Sequence, residues 1–546
     1  MPETTEQQID EMFPALTDAQ IARLSAFGEQ KRFDAGDIVF DQGDATRGVF
    51  VVLEGSIEVA NVSKDHEGTL RVLQRGEFTG EVNQLSGRRS LVRCRAREAS
   101  KLLEIARSDL RRVMQNDANL GEVLLRAFML RRVFLIAHSV GDAVLIGSSH
   151  SADTLRLQSF LARNGHPHTY LDVERDPDVQ IILDQFQITV ADIPVLICRG
   201  DVVLRNPTNA QAAECFGLNA GIDEGGVYDL VVIGAGPSGL ASAVYGASEG
   251  LKVLVVESTA PGGQAGSSSR IENYLGFPNG ISGKDLAGRA FVQAEKFGAN
   301  IAVARSARRL KCARPPYTVE LDDGGSVQGR SIIIAAGAQY RKLDLPNLAQ
   351  FEGAGVYYGA TSVEADMCSG QAVAVVGGGN AAGQAAVFLA SVAKRVFLLV
   401  RGPGLAETMS RYLISRIEAC PEITQKTWTQ IQALEGNSYL ERIHWRNSQT
   451  GEEETEDIQH LFLMTGANPN TSWLRECLSL DSKQFIKTGA ELGTEWPLPR
   501  PPYLLETSLP GVFAVGDVRA GSLKRVAAAV GEGSMAVQFV HKVLAS

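Results

Sequence analysis

The sequence predicts a multidomain chain with three architectures in series. These are an N-terminal all-β roll with flanking helices, a small α/β domain, and a large α/β unit built to hold two dinucleotides. Three observations predict this order. Short strands punctuated by glycine fill residues 30–107, strands and helices alternate over 142–220, and two Gly-rich strand–turn–helix units follow, at Gly234 and Gly377. A length of 546 residues suits roughly three or four domains of ~150 residues each.

The first segment reads FDAGDIVF, GVFVVLEGSIEVANV, TLRVLQRGEF, SLVRCRA and ASKLLEIA. Apolar and polar residues alternate in short runs, the pattern of strands with one buried face in a roll or barrel. The flank SDLRRVMQNDANLGEVLLRAFMLRRVF has apolar residues at helical spacing. In the second segment, DAVLIG, HTYLDV and IPVLIC are strands, while LRLQSFLARNG (closed by Gly165), VQIILDQF and NAQAAECFGL are helices. A Gly-rich joint, GIDEGG, leads into the large unit.

Composition excludes several functions. The net charge of −10 and pI near 5.5 are wrong for a nucleic-acid binder and for an anionic membrane surface. The start MPETTEQQIDEMFPALT lacks the basic and apolar regions of a secretory signal, and no run approaches the ~18–20 apolar residues of a spanning helix. A cytoplasmic protein is therefore expected. The seven cysteines, Cys94, Cys198, Cys215, Cys312, Cys368, Cys420 and Cys477, form no C-x-x-C. The odd number and a reducing compartment argue against a disulfide framework, and the spacing argues against a metal site.

In the first Gly-rich unit, YDLVVIGAGPSGLASAVYGASEGLKVLVVES, a strand runs into Gly234-Ala235-Gly236-Pro237-Ser238-Gly239. Gly234 permits the tight turn, Gly236 lets backbone approach a pyrophosphate, and Gly239 lets helix and strand pack closely. The helix start offers free N–H groups and partial positive charge to the phosphates. A second strand ends in Glu257, placed to accept from ribose hydroxyls. The second unit, QAVAVVGGGNAAGQAAVFLASVAKRVFLLVRG, repeats the plan with Gly377, Gly379 and Ala382. Its second strand leads to Arg401 instead of an acid, which suits the 2′-phosphate of NADP better than NAD. Both units are of Rossmann type.

Residues 226–546 resemble the low-molecular-weight thioredoxin reductases. The resemblance is carried by GGQAGSSSRIENYLGFPNGISG (262–283), IIIAAGAQYRKLDLP (332–346), VVGGGNAAG (375–383), LFLMTGANPNT (461–471) and VFAVGDVRAG (512–521). It implies FAD and NADPH as cofactors, with an NADP domain (344–464) inserted into an FAD domain (226–343 and 465–546). It implies FAD contacts at Gly262, Gly263, Gln264, Asn273, Gly337, Gly516 and Asp517, with Lys524, Arg525 and Val526 near the flavin ring, besides Gly234, Gly236, Pro237, Ser238, Gly239 and Glu257. On the NADP side it adds Asn380 and Ala381 to the second fingerprint. The departure is the redox pair: where that family has C-A-T-C, this chain has Gly359-Ala360-Thr361-Ser362. Neither Gly359 nor Ser362 can form a thiolate. Cys368 follows without a neighbouring partner and reads as a small buried hydrophobe.

Residues 139–222 resemble a thioredoxin or glutaredoxin fold, with Ser148, Ser149, His150 and Ser151 where that fold places C-x-x-C and with Ile193-Pro194 at its cis-proline. A thioredoxin-like domain without cysteines, serving as an adaptor, is the expectation. Residues 1–138 resemble cyclic-nucleotide-binding domains, with the phosphate cassette in FTGEVNQLSGRRSLVRCRA. There the resemblance implies that Gly80 and its neighbours offer backbone N–H groups, that Glu81 accepts from the ribose 2′-OH, and that Arg89 and Ser90 hold the cyclic phosphate.

Together these expectations describe an FAD-dependent NADPH oxidoreductase. It resembles thioredoxin reductase, lacks the cysteine pair, responds to cyclic AMP or cyclic GMP, and passes electrons from flavin straight to a small-molecule or protein acceptor. The alternative is a cyclic-nucleotide- and NADPH-responsive sensor or interaction protein with little turnover. A homodimer is expected, and nucleic-acid, membrane and metal partners are not.

Overall fold

The computed structural model describes residues 6–545, except 46–47, 64–65, 139–142, 149–150, 177–178, 180–182, 184–188, 190–191, 199–201, 220–222, 224, 269 and 438. In the first segment, two sheets face each other. One has the order Glu29–Phe33, Ser100–Ala106, Gly48–Glu54, and the other Ile38–Phe40, Arg93–Ala96, Ile57–Ser63, His66–Leu73. Alternation explains the packing. Phe50, Val52 and Leu102 point into the roll onto Ile57, Leu73 and Cys94. Val49, Val51, Leu103 and Ile105 point the other way, under the helices Arg107–Asn116 and Ala118–Ala137, where Leu110, Val113, Leu124 and Phe128 cover them. The strand GVFVVLE is thus buried on both faces, and its near-continuous apolar run is what such burial requires.

The second segment is a four-stranded sheet in the order Val202–Arg205, Val195–Cys198, Val144–Gly147, Thr169–Asp172. The last pair is parallel and the others are antiparallel. The strand Val202–Arg205 is absent from the sequence reading. Four residues of half-buried VVLR between turns give too short a pattern to register, and the hairpin with Val195–Cys198 supplies the pairing. Helices Ala152–Arg163 and Asn209–Cys215 are as expected, and Ile193–Pro194 is cis. Of the helix expected at VQIILDQF, most lies outside the described residues; Val179 and Leu183 pack on the sheet. Ser149 and His150 also lie outside them.

The third segment opens with a seven-stranded sheet. Its parallel part runs Asn300–Ala302, Val253–Val256, Val227–Ile233, Ser326–Ile334, Val512–Ala514. The chain leaves this sheet after Ile334 and builds an all-parallel five-stranded sheet around Ala372–Val376, Arg395–Leu399 and His460–Leu463 before returning at Val512. The outgoing strand Ala338–Tyr340 pairs with the incoming Ala467–Pro469, so a two-stranded hinge joins the two units. Buried apolar residues of all three segments form one continuous cluster, including Phe128, Leu157, Leu196, Val232 and Phe291. No helix among the described residues is long and apolar enough to cross a membrane.

Candidate functional site

At the carboxyl edge of the parallel strands lies a cavity of about 820 Å³, the position where open α/β sheets bind ligands. The glycines of the first fingerprint have separate jobs there. Gly234 has φ +103, and a Cβ would lie 2.4 Å from the carbonyl oxygen of Ala335. At Gly239 a Cβ would lie 1.8 Å from the carbonyl oxygen of Gly234. These two are demanded by the fold. Gly236 differs: its backbone (φ −69, ψ −176) suits any residue, and its missing Cβ faces open space, with Gly263 Cα at 3.9 Å as the nearest atom. That space is a cradle that a side chain would fill. Helix Pro237–Ser248 opens there with no side chain capping its first N–H groups, which leaves them free for an anion.

Glu257 is buried, and Oε2 accepts from Ala235 N at 2.7 Å while Oε1 accepts from Thr259 N at 2.9 Å. The carboxylate therefore ties the second strand to the glycine turn and keeps a lone pair on Oε2 toward the cavity. From the far end of the chain, helix Val526–Leu544 also starts at the cavity without a side-chain cap. Asp517 lines the cavity, and burial raises its carboxyl above the ordinary range against the pull of Lys524, whose Nζ donates to the Asp517 carbonyl at 3.1 Å. Of the expected residues, Gly263, Gln264, Gly337, Lys524, Arg525 and Val526 also line it. Gly262 and Gly516 shape the backbone behind the wall at φ +106 and +71, and Asn273 stands exposed outside the cavity.

The second fingerprint forms the expected strand, turn and helix: Ala372–Val376, Gly377 at φ +147, and Asn380–Leu389 capped at Gly379. Ala382 packs under the turn, Ala381 is half-buried, and Asn380 Oδ1 accepts from Ser410 N at 2.7 Å. Arg401 is exposed just beyond Arg395–Leu399.

In the N-terminal segment, Gly80 adopts φ +108, a left-handed turn. Glu81 is buried and paired with Arg132 Nη1 at 3.3 Å. Ser90 Oγ donates to Val92 O at 2.9 Å. Arg89 Nη1 donates to Gly43 O at 3.1 Å, and its guanidinium lies on Gly217 of the middle domain, where a Cβ would stand 2.7 Å from Nε. Between them, Cys215, Phe216 and Leu218 leave a cavity of only about 10 Å³, room for a single water molecule.

Residues 228–533 match the family described as pyridine nucleotide-disulphide oxidoreductase, which is more than half of the chain. The chain belongs to that family. Residues 30–117 match the cyclic nucleotide-binding domain. Among curated relatives, a thioredoxin reductase of Mycolicibacterium smegmatis is 33% identical over 57% of this reductase and 94% of its own length. The NADPH-dependent thioredoxin reductase 3 of Arabidopsis thaliana is 32% identical over 64% of this chain and 66% of its own length. The crystal structure of Lactococcus lactis thioredoxin reductase superposes with a TM-score of 0.53 at 27% identity, covering 58% of this chain and 99% of that one. Thioredoxin reductases use FAD and NADPH, and this chain is an NAD(P)H-dependent flavoprotein oxidoreductase of thioredoxin-reductase type that carries a cyclic nucleotide-binding domain.

The reductase departs from its sequence reading at the cysteines. A disulfide framework is not expected from the odd cysteine number and a reducing compartment, yet Cys198 is bonded to Cys215 and Cys312 to Cys477. The middle domain is therefore not without cysteines. The hairpin and the helix Asn209–Cys215 bring Cys198 and Cys215 together, with Cα atoms 6.5 Å apart. Cys368 is fully buried, and burial pushes its thiol up to about 11, so it is inert as a nucleophile. Gly359 lies beside Ser267, 3.7 Å from where its Cβ would be, and Thr361 caps the helix Ser362–Met367 with Glu364 completing the box. The sequence reading also misses cavity residues that carry no motif. Arg305, Tyr340 and Trp473 belong to the reductase itself, whereas Arg163 comes from the middle domain.

Proposed function

We propose that this reductase delivers electrons from NADPH, by way of FAD, straight to an acceptor outside the chain, with no redox cysteine pair at 359–362 to relay them. One observation carries the reading: the segment Gly359-Ala360-Thr361-Ser362 has a capped helix start where a redox pair would stand, and the neighbouring Cys368 is sealed in apolar packing. Bound in the large cavity, FAD supplies the two-electron carrier between nicotinamide and acceptor.

The chain's own residues do the rest. The cradle at Gly236 and the two helix starts seat the diphosphate, Glu257 Oε2 accepts from a ribose hydroxyl, and Asp517 faces the ribityl chain. Gly377, Gly379 and Ala382 seat the diphosphate of NADPH, and Arg401 meets its 2′-phosphate. This reading assigns FAD to 226–343 with 465–546 and NADP to 344–464. It makes 139–222 a thioredoxin-like adaptor and the active protein a homodimer.

Cyclic AMP or cyclic GMP tunes this reductase through the cassette Gly80–Ser90. What supports regulation is competition for one guanidinium. Arg89 donates to Gly43 O and is covered by the backbone of Gly217, so a cyclic phosphate reaches it only when the middle domain withdraws. A ligand that binds one domain arrangement and not the other shifts the balance between them.

Anaerobic NADPH bleaches the flavin of the purified protein in this reading, and a quinone, oxygen or a protein electron carrier restores the colour at a rate independent of thioredoxin. Bleaching that no acceptor reverses would instead favour a sensor. Loss of thioredoxin reduction in Cys368→Ser would reinstate a thiol route. Cyclic nucleotide titrations that leave turnover and melting unchanged would remove the regulatory part.

A further inference from the structure

Arg163 is the last residue of helix Ala152–Arg163 in the middle domain, and its side chain lines the flavin cavity of the reductase. Two hydrogen bonds hold the helix end there. Arg163 Nη2 donates to Gly263 O at 3.2 Å, and Asn164 Nδ2 donates to Thr259 O at 3.2 Å. Gly263 is the residue whose Cβ would come within 3.0 Å of Gly236 Cα. The guanidinium is thus anchored beside the open cradle at Gly236 and the uncapped start of helix Pro237–Ser248.

Three other cations around the cavity are already engaged, while Arg525 lines it at the start of helix Val526–Leu544, away from the Gly263 carbonyl that Arg163 holds. Arg305 pairs with Asp323 at 3.2 Å, Lys342 pairs with Glu352 at 2.7 Å, and Lys524 donates to the Asp517 carbonyl. Arg163 forms no ion pair among the described residues and spends one donor on Gly263. A guanidinium has five donors in a planar fork that matches phosphate oxygens. Burial also depresses its pKa, with Glu257 and Glu364 opposing that shift. A half-buried cation with open donors beside a helix start calls for an anion.

We propose that Arg163 is a ligand of the flavin diphosphate, so that the middle domain completes the flavin site of the reductase. The inference rests on the flavoprotein reading and adds to it a residue from outside the oxidoreductase unit. It gives the middle domain a chemical role that needs no thiol. Withdrawal of that domain removes a charge from the cofactor's phosphates.

The test is titration of full-length apoprotein with FAD, followed by flavin fluorescence, on the parent protein, Arg163→Gln, Arg163→Lys and Asn164→Ala, together with apoprotein melting. Loss of charge-assisted hydrogen bonds in Arg163→Gln weakens FAD binding by about tenfold or more. Arg163→Lys recovers part of that loss. Asn164→Ala, which breaks the interdomain bond to Thr259 O and the helix-end bond to Phe160 O but removes no charge, stays within about threefold of the parent. Parental affinity in Arg163→Gln overturns the proposal. So does an equal loss in Asn164→Ala, because docking and not charge would then be the cause. A parent apoprotein that takes up no FAD is a different failure, that of the flavoprotein reading itself.

Discussion

Replacing Gly236 with alanine separates a glycine that serves a ligand from glycines that serve the fold. The backbone at 236 is extended and unstrained, and a methyl group there meets nothing closer than Gly263 Cα at 3.9 Å. The folded apoprotein is therefore unharmed, and the lost freedom of the unfolded chain adds ~0.4–1 kcal/mol of stability. The same methyl occupies the space through which a diphosphate must approach the first N–H groups of helix Pro237–Ser248. Losing two charge-assisted hydrogen bonds at ~1.5–3 kcal/mol each removes ~3–6 kcal/mol, or about 10²–10⁴ in FAD affinity. Gly239→Ala fails differently: its Cβ would stand 1.8 Å from the Gly234 carbonyl oxygen, so strand and helix must part and the apoprotein itself melts early. FAD titration and apoprotein melting on both variants read the two failures apart. Near-parental FAD affinity in Gly236→Ala, or equal loss of apoprotein melting temperature in both, refutes the reasoning.

Three further outcomes follow from the same geometry. Glu295 is buried at the contact between the reductase and the N-terminal domain; burial raises its carboxyl to about 7, with Arg88, Arg111 and Arg132 opposing and Glu81 reinforcing. The folded state thus holds a proton that the unfolded state loses above pH 4.5, so stability falls by up to ~3 kcal/mol as pH rises to about 7 and is level beyond it; Glu295→Gln removes that slope in denaturation curves taken across the window. Cys215→Ser opens a disulfide that spans 17 residues and costs ~3 kcal/mol by loop entropy, read by denaturant titration with and without reductant. Arg401→Ala raises the KM for NADPH about 10- to 100-fold and leaves that for NADH unchanged in steady-state assays, because only NADPH carries the 2′-phosphate.

What was legible in the sequence is what depends on near neighbours. The strand, glycine turn and helix at 227–248 follow from a local pattern, because Gly239 is required by the Gly234 carbonyl of the same turn and Gly234 itself sits at φ +103, a conformation that favours glycine. The roll is legible from its short strands and glycine punctuation, whereas the apolar run Gly48–Glu54, buried on both faces, does not by itself say which side chains face in. What escaped depends on contacts far apart in the chain. Cys312 and Cys477 are separated by 165 residues, and only the packed oxidoreductase unit brings them together. The expectation of reduced thiols was an inference about compartment and carried no information on this proximity. Arg163 ends an ordinary amphipathic helix, and nothing in LRLQSFLARNG says that its last turn docks on the large cavity of the reductase. Legibility of the cassette Gly80–Ser90 stopped short for the same reason: its residues are recognisable, but the backbone of Gly217 that covers Arg89 is not.

The middle domain is where these contacts converge, and its geometry limits how any signal can pass. One end of helix Ala152–Arg163 meets the NADP-side unit, where Ala152 leaves 2.9 Å for a Cβ at Gly353 and Leu155 packs with its apolar cluster. The other end reaches the flavin cavity at Gly263 and Thr259. Twelve residues of helix span ~18 Å as a rigid rod. Across the same small domain, Phe216 and Gly217 press on the cassette. On the proposed regulation, a cyclic phosphate that claims Arg89 would displace Gly217, and the sheet joins Gly217 to the rod through Cys215–Cys198 and the adjoining strand Val144–Gly147. On that proposal the displacement would reach Arg163 and Ala152 together, not one nucleotide site alone. Coupling of this kind needs two discrete packings of the domain. It therefore requires cyclic nucleotide to alter FAD affinity and NADPH affinity in the same titration. A nucleotide that changed only one of them would break the chain of contacts at the rod.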